Sequence, residues 1–194
     1  MGEPRGRYSR GYLPHIDAGR TTQYITFRLA DSLPASLVAE WKSELAPKQE
    51  AKRKKELYSR IEKHLDRGHG SLILKNPRAG LIVHEAIQFY GGKKYDLHAW
   101  CVMPNHVHML VTPLDGFTLT SIVRPLKSYT AKHIHDALGG EGRLWQPDFF
   151  DRLIRDGDHF DKVAKYIEWN PVKARLCDDP SLWPFTSFGR FTEG

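Results

Sequence analysis

Apolar and polar residues alternate through QYITFRL, where Ile25, Phe27 and Leu29 fall opposite Tyr24, Thr26 and Arg28. A period of two is that of a strand with one buried face. The pattern changes over residues 35–67, which are dominated by good helix formers and interrupted at Pro47, predicting two helices or one kinked helix. Asn76 followed by Pro77 reads as the cap of an amphipathic helix running through HEAIQFY to Gly91-Gly92. The run KYDLHAWCVMPNHVHMLVTP holds two strand patterns parted at Met103-Pro104-Asn105, which predicts neighbouring strands of one sheet. LTSIVRPLKSYTAKHIHDAL is helical up to Gly139-Gly140, with Pro125 expected in a first turn or at a kink. A further helix is expected from about Asp158 to Trp169, stopped ahead of Asn170-Pro171 because proline restricts its predecessor.

Composition narrows the class. With 194 residues, 40% hydrophobic and 11% aromatic, the chain can bury a real core as one domain. The expected organisation is an irregular basic arm over 1–20, a domain over 21–175 carrying a helical insertion at about 35–67, and a tail over 176–194 that packs back through WPFTSFGRF. No stretch has the run of roughly 20 apolar residues a membrane span needs, and the start lacks an apolar signal core, so the expectation is a cytoplasmic protein. Two cysteines exclude a disulfide framework and a cysteine-built zinc site; a metal would need His, Asp, Glu or amide ligands. The net charge of +6 suits a polyanionic partner without proving one. Arg5, Arg7 and Arg10 in the arm could follow a phosphate backbone, though a frayed terminus explains them equally well. The run KQEAKRKK over 48–55 is open to the same two readings, a DNA-facing surface or a solvated helical face.

In NHVHMLV, His106, His108 and Leu110 share one strand face and Val107, Met109 and Val111 the other. Two imidazoles on an otherwise apolar strand need hydrogen bonds or a metal, and a pair of satisfied core histidines is the plain alternative. Farther on, Lys127, Tyr129, Lys132 and His133 lie on a predicted helix, with His133 one turn beyond Tyr129. A tyrosine with a reference pKa of about 10 is a poor nucleophile unless a cation stabilises the charge developing in the transition state. Lys127 or Lys132 could supply that cation; taken alone, Tyr129 reads as a packing or surface residue.

The ordered motifs HAWCVMPNHVHMLVTP, LKSYTAKH, WQPDFFDRLIRD and YIEWNPVKARL, from about Tyr95 to Phe188, resemble the REP-associated tyrosine transposases. These are relatives of the single-tyrosine transposases with a histidine–hydrophobic–histidine (HUH) motif. The resemblance implies a ferredoxin-like α+β domain, with an antiparallel sheet, flanking helices, the HUH histidines on a central strand and the tyrosine on a helix. It implies that His106 and His108 bind a divalent ion, magnesium or manganese, and that Tyr129 attacks single-stranded DNA to give a 5′-phosphotyrosine and a free 3′-hydroxyl. It further implies a polar ligand, commonly an amide, one turn beyond the tyrosine; His133 holds that position as a departure, and an imidazole there favours manganese. The implied substrates are hairpins of repetitive extragenic palindromes, bound by a monomer or a dimer. Arg5, Arg7, Arg10, Lys132, Trp145, Arg152 and Arg155 are the DNA-contact candidates, Trp145 being weighed against a place in the core. Two other functions compete: a domesticated palindrome-binding protein that does not cut, and a metal phosphodiesterase that uses water in place of tyrosine.

Overall fold

The computed structural model describes residues 6–10, 13–17 and 19–188, with side chains over 19–188. The arm is not irregular there: β1 (Gly6–Arg10) and β2 (Leu13–Asp17) pair as an antiparallel hairpin. Arg5 lies outside the described residues; Arg7 and Arg10 fall on β1, with side chains outside them.

The sheet is built from β3 (Gln23–Arg28), β4 (Tyr95–Val102), β5 (His106–Pro113) and β6 (Phe150–Leu153) in the order β4–β5–β3–β6, every pair antiparallel. Two helices lie between β3 and β4 ahead of a third: α1 (Ala35–Leu45) and α2 (Glu50–Asp66), then α3 (Pro77–Tyr90). The break at residues 46–49 contains Pro47, as its missing N–H requires. Leaving α1 and α2 aside, β3, α3, β4, β5, α4 (Leu119–Leu138) and β6 follow the β–α–β–β–α–β order of a ferredoxin-like α+β domain. The chain then forms α5 (Gly157–Glu168) and the short α6 (Asn170–Lys173). Among the described residues no helix is long and apolar enough to cross a membrane.

Side-chain alternation divides the sheet into two faces. Ile25, Phe27, Val107, Met109 and Val111 pack against α3 and α4 through Val83, Ile87, Ile122, Leu126 and Ile134. Tyr24, Cys101 and Leu110 point the other way, where Ile167 of α5 covers them. The Asn76 side chain accepts the Arg78 N–H to start α3, and Thr118 and Ser121 form a reciprocal cap on α4. Pro125 stands in the second turn of α4, so the helical ladder runs on past one missing donor. The tail up to Phe188 lies along β4, with Val102 N–H donating to Phe185 O and Ser187 N–H to Trp100 O, both at 2.9 Å. Gly80 admits the Phe185 ring, because a Cβ there would come within 2.3 Å of it.

Candidate active site

His106 and His108 sit on β5, the central strand between β4 and β3, on the face covered by α5, and both are wholly buried. Their cross-strand neighbours explain their orientation. Thr26 lies opposite His108 in the register, and the His108 Nδ1 meets the Tyr24 hydroxyl at 2.6 Å and Thr26 Oγ1 at 3.0 Å. The His106 Nδ1 bonds Asn105 Oδ1 at 2.7 Å; because a carboxamide oxygen only accepts, that nitrogen carries the proton and Nε2 keeps its lone pair. The two Nε2 atoms are 2.9 Å apart. Burial, with Lys173 adding a smaller repulsion, pushes the His106 pKa down to about 3; burial, then His106 and Lys173, holds His108 well below its ordinary range. Both rings are therefore neutral, the state that ligates metals.

Above this pair the chain passes from α5 into α6. Asp156 caps α5 by accepting the His159 N–H at 2.7 Å. Pro171 removes one backbone donor and ends α5, yet Trp169 N–H still reaches Lys165 O and Lys173 N–H reaches Trp169 O, each at 3.0 Å. The path stays nearly helical, so Asn170 follows Tyr166 by about one turn. Asn170 is wholly buried, its Nδ2 3.1 Å from His108 Nε2, and its Oδ1 has no partner. The oxygen and nitrogen of an amide exchange places by a half-turn of the side chain. Two imidazole Nε2 atoms and one unpartnered amide oxygen thus converge, a donor set that suits a divalent ion. Among the described residues no cluster of three His, Cys, Asp or Glu offers another.

Tyr166 stands beside the same histidine, ring centroids 5.8 Å apart. Its hydroxyl donates to Glu62 Oε2 of α2, and the Lys173 ammonium lies 4.8 Å from its ring centroid while bonding Asp66 at 3.2 Å. Burial, followed by the charge of Tyr24 and then the charge and hydrogen bond of the Glu62 carboxylate, raises the Tyr166 phenol far above the usual tyrosine range.

Tyr129 is not brought to the histidines. The buried residues of α4 belong to the core on the opposite sheet face, and Tyr129, 45% exposed, stacks on His133 with centroids 3.9 Å apart. His133 bonds the Tyr129 carbonyl of its own helix at 2.8 Å, so the structure brings neither residue to the histidine pair. Lys127 is buried too, its ammonium donating to the carbonyls of Gln146, Pro147 and Asp148 at 2.9, 3.3 and 2.8 Å, so that it pins a loop. Lys132 is exposed and paired with Asp136. Trp145 is 4% exposed, packs edge-on to Phe27 and donates to Thr130 Oγ1, which makes it core. Arg152 is exposed and donates to His159 Nε2 at 2.7 Å; Arg155 is exposed next to it.

Tyr166 and Asn170 are the site residues that sequence reasoning passed over. Their signal was the amide expected one turn beyond the tyrosine: Tyr129 has a histidine there, whereas Tyr166 has Asn170. The Asn170-Pro171 step, read only as a helix stop, hid it.

Comparison with known proteins gives the family. The family described as "Transposase IS200 like" matches residues 76–170, a stretch that takes in both histidines, Tyr166 and Asn170. A REP-associated tyrosine transposase of Escherichia coli (strain K12) is 30% identical over 125 residues, which cover 60% of this chain and 73% of that protein. The chain belongs to the REP-associated tyrosine transposases. Like other members of this family of transposases, it is an enzyme of DNA cleavage and strand transfer. A solved structure described as a REP-associated tyrosine transposase bound to a REP hairpin aligns with a TM-score of 0.57 at 23% identity, over 98% of this chain and 84% of that one. That likeness is one of fold.

Proposed function

We propose that this transposase is a metal-dependent endonuclease and strand transferase acting on single-stranded DNA at palindromic hairpins, with Tyr166 as nucleophile and His106, His108 and Asn170 holding the ion. The observation that supports this most directly is the convergence of Asn170 and Tyr166, one turn apart, on His108. The solved relative bound to a REP hairpin supports the choice of substrate. The face of the sheet that carries the histidines is the one α5 covers, so strand and helix hold phosphate-binding and attacking groups within one small volume.

The residues divide the work. Asn105, Tyr24 and Thr26 fix the two imidazoles, which together with Asn170 would hold the ion. A divalent ion held there would polarise the scissile phosphate and offset the charge that develops on it. Tyr166 Oη attacks phosphorus and forms a 5′-phosphotyrosine while the 3′ oxygen leaves. The Lys173 ammonium close to the Tyr166 ring favours negative charge as it builds on the phenol. The phosphotyrosine keeps the energy of the broken phosphodiester, so an incoming 3′-hydroxyl can rejoin the strand without another energy source.

The test is incubation with labelled single-stranded hairpins from the host genome and manganese or magnesium, followed by a denaturing gel. Wild-type protein and Tyr129→Phe are expected to give a covalent protein–DNA adduct, and Tyr166→Phe and chelator-treated protein none. Adduct from Tyr166→Phe would overturn the assignment. Cleavage by that variant without adduct would point to a water-using phosphodiesterase, and binding without cleavage by the wild type to a palindrome-binding protein.

A further inference from the structure

Helix α2 belongs to the insertion between β3 and α3 and lies outside the stretch matched by the transposase family, yet it sends a carboxylate into the site. Glu62 is 5% exposed, its Oε2 accepts the Tyr166 hydroxyl, and its Oε1 has no partner. The nearest ammonium, Lys173, is bonded to Asp66 one turn along α2 at 3.2 Å. A carboxylate buried without its own cation is unfavourable as a structural device, because desolvation is not offset by a paired charge. Its charge-assisted hydrogen bond goes to the atom that must lose a proton for Tyr166 to attack.

We infer that Glu62 is a catalytic residue: the general base that takes the Tyr166 proton during strand cleavage and the acid that returns it during strand joining. This rests on the reading of Tyr166 as nucleophile. In cleavage the Oη–H bond breaks and its proton passes to Glu62 Oε2. The Oη–P bond forms, and the P–O3′ bond breaks with its electron pair on the 3′ oxygen, which takes a proton from water. In joining, the incoming 3′-hydroxyl yields its proton to solvent, P–O3′ forms, and the departing Oη recovers the proton held by Glu62. The carboxyl thus ends each full cycle as it began.

Its environment suits both directions. Burial raises the Glu62 pKa to about 7, with Asp66 raising it further and the Tyr166 and Tyr58 hydroxyls and Lys173 opposing. An acid with a pKa near the working pH is an efficient donor and an efficient acceptor. Tyr166, held far above its usual range, stays protonated until a base removes the proton in the transition state. The groups facing the carboxyl are Asp66 and Tyr58 on α2, Tyr166 on α5 and Lys173 on α6; Tyr24 on β3 feels its charge.

The experiment measures single-turnover adduct formation across pH for wild type, Glu62→Gln and Glu62→Asp, with Tyr166→Phe alongside. The wild-type rate is expected to rise with pH and level off above about 7. Glu62→Gln should be slower at the plateau by about 100-fold or more and lose that inflection, with hairpin affinity and metal dependence unchanged. Glu62→Asp should recover part of the rate and keep an inflection. A wild-type profile in Glu62→Gln would overturn the proposal. So would uniform slowing with the inflection intact, which is the behaviour of a group that only orients Tyr166. Adduct from Tyr166→Phe would instead refute the nucleophile, a result separable from either.

Discussion

The Asn170 side chain is wholly buried and its Oδ1 is satisfied by nothing in the protein, an arrangement that costs stability unless a ligand completes it. Asn170→Ala is therefore expected to fold, and to raise the metal concentration for half-maximal adduct formation by about tenfold or more. Glu62 makes a second prediction, independent of catalysis. Its folded pKa of about 7 lies above the ordinary glutamate value of 4.5, so the folded state holds this proton more tightly than the unfolded state does. The associated stability is fully present below about 4.5 and is lost as pH rises through about 7. The shift corresponds to about 3 kcal/mol. Glu62→Gln should thus melt at a higher temperature than wild type in mildly alkaline buffer, with the gap closing towards mildly acidic pH. An equal gap at both pH values would show that Glu62 is not the titrating group. A variant that is more stable and less active would mark the carboxylate as kept for chemistry.

At the scale of elements, the periodic signals translate directly. The alternation in QYITFRL became β3, the two patterns around Met103-Pro104-Asn105 became β4 and β5, and the Asn76 cap starts α3. The histidines on one face of a central strand were legible for the same reason, since a period of two fixes which side chains share a face. What periodicity does not tell is which sheet face a helix covers. α4 and α5 both present a tyrosine, and only packing shows that α4 lies on the face opposite His106 and His108 while α5 lies over them. The reach of Glu62 from α2 was equally hidden, because a glutamate among lysines reads as a solvated face. Lys127 shows the same limit. Close to Tyr129 in sequence, it looks catalytic, but its ammonium is buried against three loop carbonyls, and burial lowers its pKa to about 7. Lys127→Met leaves those acceptors without a donor and should destabilise by about 1–3 kcal/mol. For a domain of this size that lowers Tm by roughly 2–4 °C per kcal/mol. Well below the melting transition, adduct formation should persist; its loss there would return Lys127 to the reaction.

At the scale of the whole molecule, the insertion does more than lengthen the chain. α1 and α2 enclose, with β3 and the Gln146–Phe150 region, a cavity of about 450 Å³ whose lining runs from Phe27, Tyr58, Phe149 and Phe150 inside to Lys42, Arg53 and Lys54 at its edge. Several basic residues of the insertion are taken up by internal ion pairs, Lys48 with Glu56, Lys54 with Glu50 and Arg60 with Glu44. Such exposed pairs contribute little to stability, so their lysines and arginines remain available to exchange a carboxylate for a phosphate when DNA arrives. The +6 net charge favours that exchange, and each phosphate neutralised releases condensed counterions. If the rim lies along the strand leading to Tyr166, reversing Arg53 and Lys54 to glutamate should weaken hairpin binding most at low salt. It should also flatten the slope of log affinity against log salt by about 0.7–0.9 for each phosphate left without its cation. Adduct formation at saturating DNA should change little, because neither residue touches the Tyr166 hydroxyl. Affinity titrations at several salt concentrations decide the matter: an unchanged slope would place the DNA path elsewhere.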